Sequence, residues 1–209
     1  MMLKPFTLTG SHVRLAPLGL EHVDALVAAS TAEHPPGLYD WSPVPQTKSD
    51  AIRYVEAALV LRKADKAIAF ATVRASDDVV IGSTRFFDVE YWPWPAGHRF
   101  NNRTTPDVCE IGYTWLTAPA IHTAANTEAK LLMLTHAFES WQVHRVCFHT
   151  DVRNHRSKEA LARIGGHFEG ILRAHRMSSD FIPRDSARFS IIATEWPAVK
   201  GKLEQMLNL

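Results

Sequence analysis

The stretch from Pro119 to Trp141 reads PAIHTAANTEAKLLMLTHAFESW, and it leads from a loop of small residues into an amphipathic helix. Apolar residues of the helix recur at spacings of three, four and three, as one face of an α-helix requires: Leu131, Leu134, Phe138 and Trp141. We expect the loop to span Thr123 to Asn126, with Asn126 as the N-cap residue. Glu128 then lies in the first turn, where a carboxylate suits the positive end of the helix dipole.

A strand-like run, Val108 to Leu116, comes shortly before this loop. A strand, a small-residue turn and a helix N-terminus together leave main-chain N–H groups pointing at one spot, which makes an anion site. The alternative is an ordinary strand–helix connection, and most of these connections bind nothing. The choice between the two depends on the rest of the chain.

Length and composition are those of a soluble globular protein. With 209 residues, 46% of them hydrophobic and 22% charged, the chain is expected to form a single domain over residues 1–209. A net charge of +1 gives no reason to expect nucleic acid or an anionic membrane as a partner. No run is long enough to span a membrane, and the N-terminus lacks the apolar core of a signal peptide.

The cysteines and histidines point to no disulfide and no metal centre. Cys109 and Cys147 both fall inside predicted strands and are expected to be free buried thiols, which fits a cytoplasmic protein. The eleven histidines show no ligand-pair spacing with a third ligand in view, so we expect no metal site.

Hydrophobic periodicity predicts the order β α α β β β α β α β β α, a mixed sheet with helices on both sides, in the α+β (α/β mixed) class. In chain order, the other predicted elements are strand 12–18, helix 20–30, helix 47–63 with a capping box, strands 67–74 and 79–87, strand 144–151, helix 154–164, strands 168–177 and 184–194, and a closing helix from 197. The segment Tyr91 to Pro106 is predicted to be irregular, and its Trp–Pro content favours a packed flap.

Side-chain alternation in Val108–Leu116 places Glu110 on one face with Gly112, Thr114 and Leu116, and the intervening residues on the other. A carboxylate is an unusual choice for a core face, because burying an unpaired charge is costly. One account is a structural ion pair, with Arg145 or Arg85 as the partner. The other is a general base that accepts a proton near neutral pH. Spacing alone favours the structural account.

The helix that begins after Asn154 also has two interpretations. In the simpler one, Asn154 caps the helix and Ser157 is a surface serine. In the other, this helix start lies near the first anion site, and both side chains face one extended ligand. The cluster formed by Arg173, His175 and Arg176, near the end of the next strand, is expected to be a solvated face.

Four strings of the sequence resemble the GNAT superfamily of acyl-CoA-dependent N-acyltransferases, and most closely its RimJ/RimL-like branch. They are EIGYTWL from Glu110, TAANTEAKLLMLTHAFE from Thr123, RVCFHTDVRNHRSKEALARIGG from Arg145, and SIIATEWPAVK from Ser190. The resemblance covers nearly the whole chain and is most specific from Glu110 to Pro197.

The resemblance implies a largely antiparallel mixed sheet in which Val108–Leu116 and His144–Asp151, matching the family's fourth and fifth strands, splay apart around acetyl-CoA. It also implies that Glu110 is the base that receives the acceptor's proton and that Ser157 protonates the leaving thiolate. The positions matching the family's contacts to the cofactor arm and pyrophosphate are Trp115, Leu116, Thr117, His122, Thr123, Ala124, Ala125, Asn126, Thr127 and Asn154.

The sequence departs from the family pattern in the phosphate loop. Ile121 stands where a Gln or Arg is usual, and Ala124 and Asn126 stand at glycine positions. Alanine keeps its N–H, so the loop can still bind phosphate if its backbone does not need a positive φ. The helix after Asn154 also lacks the tyrosine that usually serves as the acid.

The function implied by the resemblance is direct transfer of the acetyl group of acetyl-CoA to a primary amine, either a protein N-terminus or a small molecule. A CoA-binding module without transferase activity is the alternative, and a scaffold protein is a third interpretation. Aromatic residues in the poorly matched segments are expected to form the acceptor mouth, which suits an amphipathic amine: Tyr39, Trp41, Trp92 and Trp94. The expected partner is a small-molecule or peptide amine, and a homodimer is compatible with the branch.

Overall fold

The chain folds into strands interspersed with helices, and the computed structural model describes residues 4–178 and 180–208. In that part the strands are β1 (Leu8–Thr9), β2 (Val13–Pro17), β3 (Ala67–Arg74), β4 (Val80–Glu90), β5 (Val108–Leu116), β6 (Arg145–Asp151), β7 (His167–Met177) and β8 (Pro183–Ile192). The α-helices are α1 (Val23–Thr31), α2 (Lys48–Lys63), α3 (Ala124–Thr135), α4 (His155–Arg163) and α5 (Trp196–Leu207). The predicted strands and helices are present within a few residues, and β1 is an addition to them. The helix predicted to reach Trp141 is the exception, because α3 ends at Thr135 and a π-helical turn, His136–Ser140, continues it.

One eight-stranded sheet contains every strand, in the order β1-β2-β3-β4-β5-β6-β8-β7. Neighbouring strands are antiparallel except β5 and β6, which are parallel and pair only at Val108↔Arg145, Cys109↔Val146 and Glu110↔Cys147. Beyond Glu110 the two strands diverge. The mixed, largely antiparallel sheet with a splayed central pair is therefore confirmed.

Helices cover both faces of this sheet, as the sequence predicted. The larger core joins α3 and α5 to one face and includes the predicted helix stripe of Leu131, Leu134, Phe138 and Trp141. The smaller core packs α1 and α2 against the other face. The predicted capping box of α2 is present, with Thr47 and Asp50 bonded reciprocally. No helix in the described ranges is long and apolar enough to cross a membrane.

A β-bulge in β5 changes which side chains share a face. Arg85 pairs with Gly112 and Ser83 pairs with Trp115, so β5 has one residue more than β4 over this interval. Tyr113 is left-handed at φ 52° and absorbs the extra residue. The predicted alternation is therefore wrong after Gly112: Glu110 faces the β7–β8 side, whereas Thr114 contacts Lys130 of α3 on the opposite face.

The N-cap of α3 lies three residues before the predicted N-cap. Thr123, not Asn126, caps the helix, and its Oγ1 accepts the N–H of Ala125 at 3.2 Å. The small residues assigned to a loop form the first helical turn, because alanine is the strongest helix former. Glu128 is consequently beyond the first turn, and its buried carboxylate accepts the N–H groups of the β1–β2 connection: Ser11 (2.8 Å), His12 (2.7 Å) and Val13 (2.7 Å).

Candidate active site

A cavity of about 810 Å³ opens where β5 and β6 part. Its walls come from both strands, the start of α3, helix α4, the segment 38–43 and the β7–β8 hairpin. This volume is within the range of small-molecule and cofactor sites, about 300–1,000 Å³. The cavity occupies the gap that the sequence analysis expected for a cofactor.

The structure brings ten of the sequence-predicted site residues to the cavity wall: Tyr39, Trp41, Glu110, Trp115, Leu116, His122, Thr123, Asn126, Asn154 and Ser157. Thr117 lies just outside, and its N–H donates to the carbonyl of Ile81 at 2.8 Å. Ala124, Ala125 and Thr127 belong to the first turns of α3 behind the wall. The main-chain N–H of Ala124 is available to an anion, whereas that of Ala125 donates to Oγ1 of Thr123.

The backbone of the phosphate loop does not need glycine at the altered positions. The left-handed residue is His122, at φ 62°, whereas Ala124 and Asn126 are ordinary helical residues. The substitutions at these two positions therefore cause no backbone strain and keep the N–H groups. Ile121 packs against the core at its edge, which explains an apolar residue there.

Two arginines of α4 add positive charge beside this helix start. Arg163 donates to Oγ1 of Thr127 at 3.1 Å, and Arg156 donates to the carbonyl of Leu38 at 2.7 Å. Both arginines line the cavity, and neither was singled out from the sequence. Together with the N-terminus of α3 they form a site suited to phosphate groups.

Glu110 is 4% exposed and lies in the last residue pair before β5 and β6 part. Its Oε2 accepts a hydrogen bond from Arg176 at 3.1 Å and lies 2.9 Å from Nδ1 of His149, without hydrogen-bond alignment. The partners expected from the sequence are wrong: Arg145 pairs with Glu169, and Arg85 stacks over Tyr113. The Glu110 carboxylate has a charged partner and also faces the cavity. A structural ion pair and a role as general base are therefore compatible for this residue.

Histidine and arginine side chains from β6, β7 and β8 surround Glu110. His149 and His175 have ring centroids 4.7 Å apart. Burial lowers the pKa of His175, and the nearby His149 and Arg176 lower it further. Burial opposes ionisation of Arg176 too, but the carboxylates of Glu110 and Asp88 outweigh it and raise its pKa.

The predicted solvated face on β7 is only partly correct. Arg173 is exposed, but His175 and Arg176 are half-buried beside Glu110. Ala174 is left-handed at φ 47° and interrupts the pairing of β7 with β8. No local signal in the sequence identifies this irregularity, so the two residues were missed as site residues.

Lys130 is another wall residue that the sequence analysis missed. It is 4% exposed, and its Nζ donates to Oγ1 of Thr114 at 2.8 Å and to Oγ1 of Thr84 at 3.3 Å. Burial lowers the pKa of this amine to about 7. Among the described residues no carboxylate pairs with it, so the cavity wall contains an amine that titrates near neutral pH.

Asn154 and Ser157 lie at the start of α4. Oδ1 of Asn154 accepts the N–H of Ser157 at 3.0 Å, so the predicted N-cap is confirmed. Both residues also line the cavity. The capping bond uses the amide oxygen of Asn154 and leaves its NH₂ group for other partners.

The four aromatic residues predicted at the acceptor mouth separate into two pairs. Tyr39 and Trp41 line the cavity, and the Tyr39 hydroxyl donates to the carbonyl of Leu116 at 3.2 Å. Trp92 and Trp94 lie outside the cavity wall, where they stack with His144 and His98. The flap is thus packed, as predicted, but it packs away from the cavity.

Strands that part around a cavity, a helix N-terminus in the cavity wall and a buried carboxylate at the parting point are the features expected of an acyl-CoA-dependent acetyltransferase. The sequence model of the acetyltransferase (GNAT) domain family matches residues 12–167, and the chain belongs to this family. No curated protein matches the sequence.

Solved structures agree with this assignment. A protein from T. thermophilus assigned as an acetyltransferase is 32% identical, with a TM-score of 0.77 and coverage of 99% of this chain and 100% of that chain. A GCN5-related N-acetyltransferase from Brucella melitensis is 26% identical, with a TM-score of 0.80 and coverage of 98% and 86%. Mycobacterium smegmatis RimJ in complex with CoA-disulfide shares the fold at 20% identity, with a TM-score of 0.78 and coverage of 97% and 95%.

Proposed function

We propose that this protein transfers the acetyl group of acetyl-CoA directly to a primary amine. The observation that carries the proposal is the position of Glu110, whose carboxylate lines the cavity at the point where β5 and β6 part. A base at that position borders both the gap between β5 and β6 and the side of the cavity formed by the β7–β8 hairpin. The same cavity has a phosphate-compatible helix start in its wall.

The residues present fit acetyl-CoA. Its diphosphate would be held by the first N–H groups of α3, with Arg156 and Arg163 supplying positive charge. Its pantetheine arm would lie along Trp115 and Leu116 in the gap. When bound, acetyl-CoA supplies an acetyl group activated as a thioester.

In this mechanism Glu110 accepts a proton from the acceptor ammonium, and the neutral amine then attacks the thioester carbon. Main-chain N–H groups near Trp115 would polarise the carbonyl oxygen. As the C–S bond breaks, Ser157 would give its hydroxyl proton to the CoA sulfur and regain one from the nitrogen that attacked. Arg176 holds the Glu110 carboxylate in place by a hydrogen bond. Most of the rate enhancement comes from holding both substrates in line in one cleft.

The acceptor side favours a peptide or small-molecule amine with an apolar flank. Tyr39, Trp41, Met177 and Phe181 line the cavity there, and Phe181 is exposed. Among proteins that share the fold are one named as a ribosomal-protein-S5-alanine acetyltransferase from Vibrio fischeri and RimJ. The first of these names supports an amine of a protein substrate as one candidate acceptor.

Replacing Glu110 with glutamine tests the role of the base. We expect Glu110→Gln to lower kcat about 10²–10⁴-fold, because the amide cannot accept the proton, with little change in the Kd of acetyl-CoA. Thiol release and calorimetry measure the two quantities, and Glu56→Gln, an exposed substitution on α2, is the control. A variant with wild-type kcat would remove Glu110 from the mechanism.

A CoA-binding module without transferase activity is the second candidate, favoured by Ile121 in place of a polar residue. Both candidates predict that acetyl-CoA stabilises the fold, by about 2.7 kcal/mol at a hundredfold excess over Kd. Only a transferase releases free thiol when amines are added. Stabilisation without thiol release across an acceptor library would support the binding module.

A further inference from the structure

Arg184 on β8 is a cation in the cavity wall without a counterion. It is half-buried, and among the described residues its guanidinium makes no hydrogen bond or ion pair; the Nε is fully buried and unsatisfied. Burial lowers the pKa of Arg184, although an arginine remains charged at neutral pH. Asp151 and Glu110 act on Arg184 electrostatically without forming an ion pair with it, and the Asp151 oxygens accept hydrogen bonds from Arg153.

Neighbouring groups also lack partners. Both ring nitrogens of His149, whose side chain is 7% exposed, and Nδ1 of His175 make no hydrogen bond in the part of the chain described. Arg176, directly across the hairpin from Arg184, is by contrast matched by Glu110 and Asp88. Among the described residues on this side of the cavity, Arg184 is therefore an arginine with no carboxylate in direct contact.

An uncompensated, partly desolvated guanidinium costs folding free energy unless a ligand pairs with it. The cofactor phosphates are assigned to other elements, namely α3 and α4. Arg184 instead shares the β7–β8 side with Glu110, where the acceptor amine must lose its proton. An anion on the acceptor would pair with Arg184 and remove the cost.

We propose that Arg184 binds an anionic group of the acceptor, so that the preferred acceptor is a primary amine that also carries a carboxylate or a phosphate. This inference rests on the proposed transferase function. Arg176 and Arg184 are opposite each other on neighbouring strands, where Cβ atoms are typically about 5 Å apart. Because Arg176 contacts Glu110, the amine and the anion are expected to lie only a few bonds apart.

Matched acceptors test the proposal. Each pair consists of an anionic acceptor and a neutral analogue: 4-aminobutanoate with 4-aminobutanamide, and 3-aminopropyl phosphate with 3-amino-1-propanol. The quantity measured for each acceptor is kcat/KM for thiol release from acetyl-CoA. We expect the wild-type protein to prefer the anionic member of at least one pair by about ten- to a hundredfold, the range of a hydrogen bond to a charged group. The pair with the larger ratio identifies carboxylate or phosphate as the group.

Variants of Arg184 test whether this residue causes the preference for anionic acceptors. Arg184→Gln should bring the ratio close to one through a higher KM for the anionic acceptor, and Arg184→Lys should keep part of the preference. Arg173→Gln removes the same charge from an exposed position on the same hairpin and should keep the full ratio. Retention of the ratio by Arg184→Gln would overturn the proposal, as would equal rates with both members of each pair.

Binding separates failure of this inference from failure of the proposed function. Calorimetry measures each acceptor against the CoA-bound protein, so it needs no turnover. If no amine releases thiol but the anionic acceptors bind the wild-type protein and not Arg184→Gln, the anion site stands and the transferase function fails. If Arg184→Gln weakens the binding of acetyl-CoA itself about tenfold, Arg184 belongs to the cofactor site and the inference is wrong.

Discussion

Glu110, Glu128 and Lys130 are all nearly fully buried, and each charge has a different set of neighbours. Glu110 has a guanidinium and an imidazole beside it, and Glu128 has three main-chain N–H groups. Among the described residues, the hydrogen-bond partners of Lys130 are two threonine hydroxyls. Hydroxyls replace the lost water poorly, so the neutral amine is favoured and the pKa of Lys130 falls to about 7.

Replacing Lys130 with methionine should flatten the pH dependence of stability between pH 6 and pH 10. The unfolded lysine keeps its proton up to its pKa of 10.5, so above pH 7 the unfolded state binds more protons and the free energy of unfolding rises with pH. The destabilisation caused by burying the Lys130 amine is complete below pH 7 and disappears as the pH approaches 10.5. Lys130→Met should reduce this rise by up to about 4 kcal/mol, at about 1.4 kcal/mol per pKa unit.

Urea unfolding at pH 6, 8 and 10 measures the effect of Lys130→Met. Lys158→Met, a substitution at a half-buried position on α4, provides a comparison at a less buried site. A wild-type pH profile in Lys130→Met would show that the buried amine does not titrate near neutral pH.

Helices and strands were predictable from the sequence wherever one face is apolar, because that periodicity reflects the packing itself. The prediction failed where the backbone departs from regular geometry, at the bulge of Tyr113 and at left-handed Ala174. Neither residue is a glycine or an asparagine, so the sequence gives no warning. Every side-chain direction beyond each irregularity changes as a result.

The candidate site was predictable in part for a related reason. Residues on one element, such as those of β5 and the start of α3, could be grouped from local spacing and family resemblance. Lys130 and Arg184 reach the cavity only because separate elements meet there. Their roles depend on tertiary contacts, which no local pattern contains.

Helix α3 is connected to the start of the sheet through Glu128, and this connection should contribute to stability. Glu128→Gln removes the charge that accepts three N–H groups, so we expect a loss of about 2–4 kcal/mol in the free energy of unfolding. Urea unfolding at neutral pH measures the loss. Glu56→Gln on α2 should change stability by less than about 0.5 kcal/mol, and an equal effect from both variants would contradict the proposed role of Glu128.

Across the whole molecule, the flap of residues 91–106 and the cavity are separate regions. Asp107 accepts the indole N–H of Trp94 at 2.8 Å, the main-chain N–H of Trp92 at 2.7 Å and a hydrogen bond from Arg103 at 3.0 Å. Arg103 also donates to the carbonyl of Trp141, at the end of the α3 region. These hydrogen bonds join the flap to Asp107 and Trp141, away from the acceptor side of the cavity.

Alanine substitutions distinguish these two regions. Trp94→Ala should lower the free energy of unfolding by about 2 kcal/mol, because Asp107 loses a buried donor, and should leave the KM of the acceptor unchanged. Trp41→Ala should raise that KM about tenfold, since an aromatic side chain is lost from the cavity wall. Steady-state kinetics and urea unfolding of both variants provide the measurement. A raised KM in Trp94→Ala would place the flap at the acceptor mouth after all.

The parallel seam between β5 and β6 is three residue pairs long, and Glu110 is in the last of them. A rotation of the part formed by β1–β5 against the part formed by β6–β8 about this seam would open the gap. Atoms on a hinge axis move least, whereas Trp115 and Thr150, farther along the two strands, move most. Such a rotation would widen the cleft for a long ligand and leave the Glu110 carboxylate close to its position.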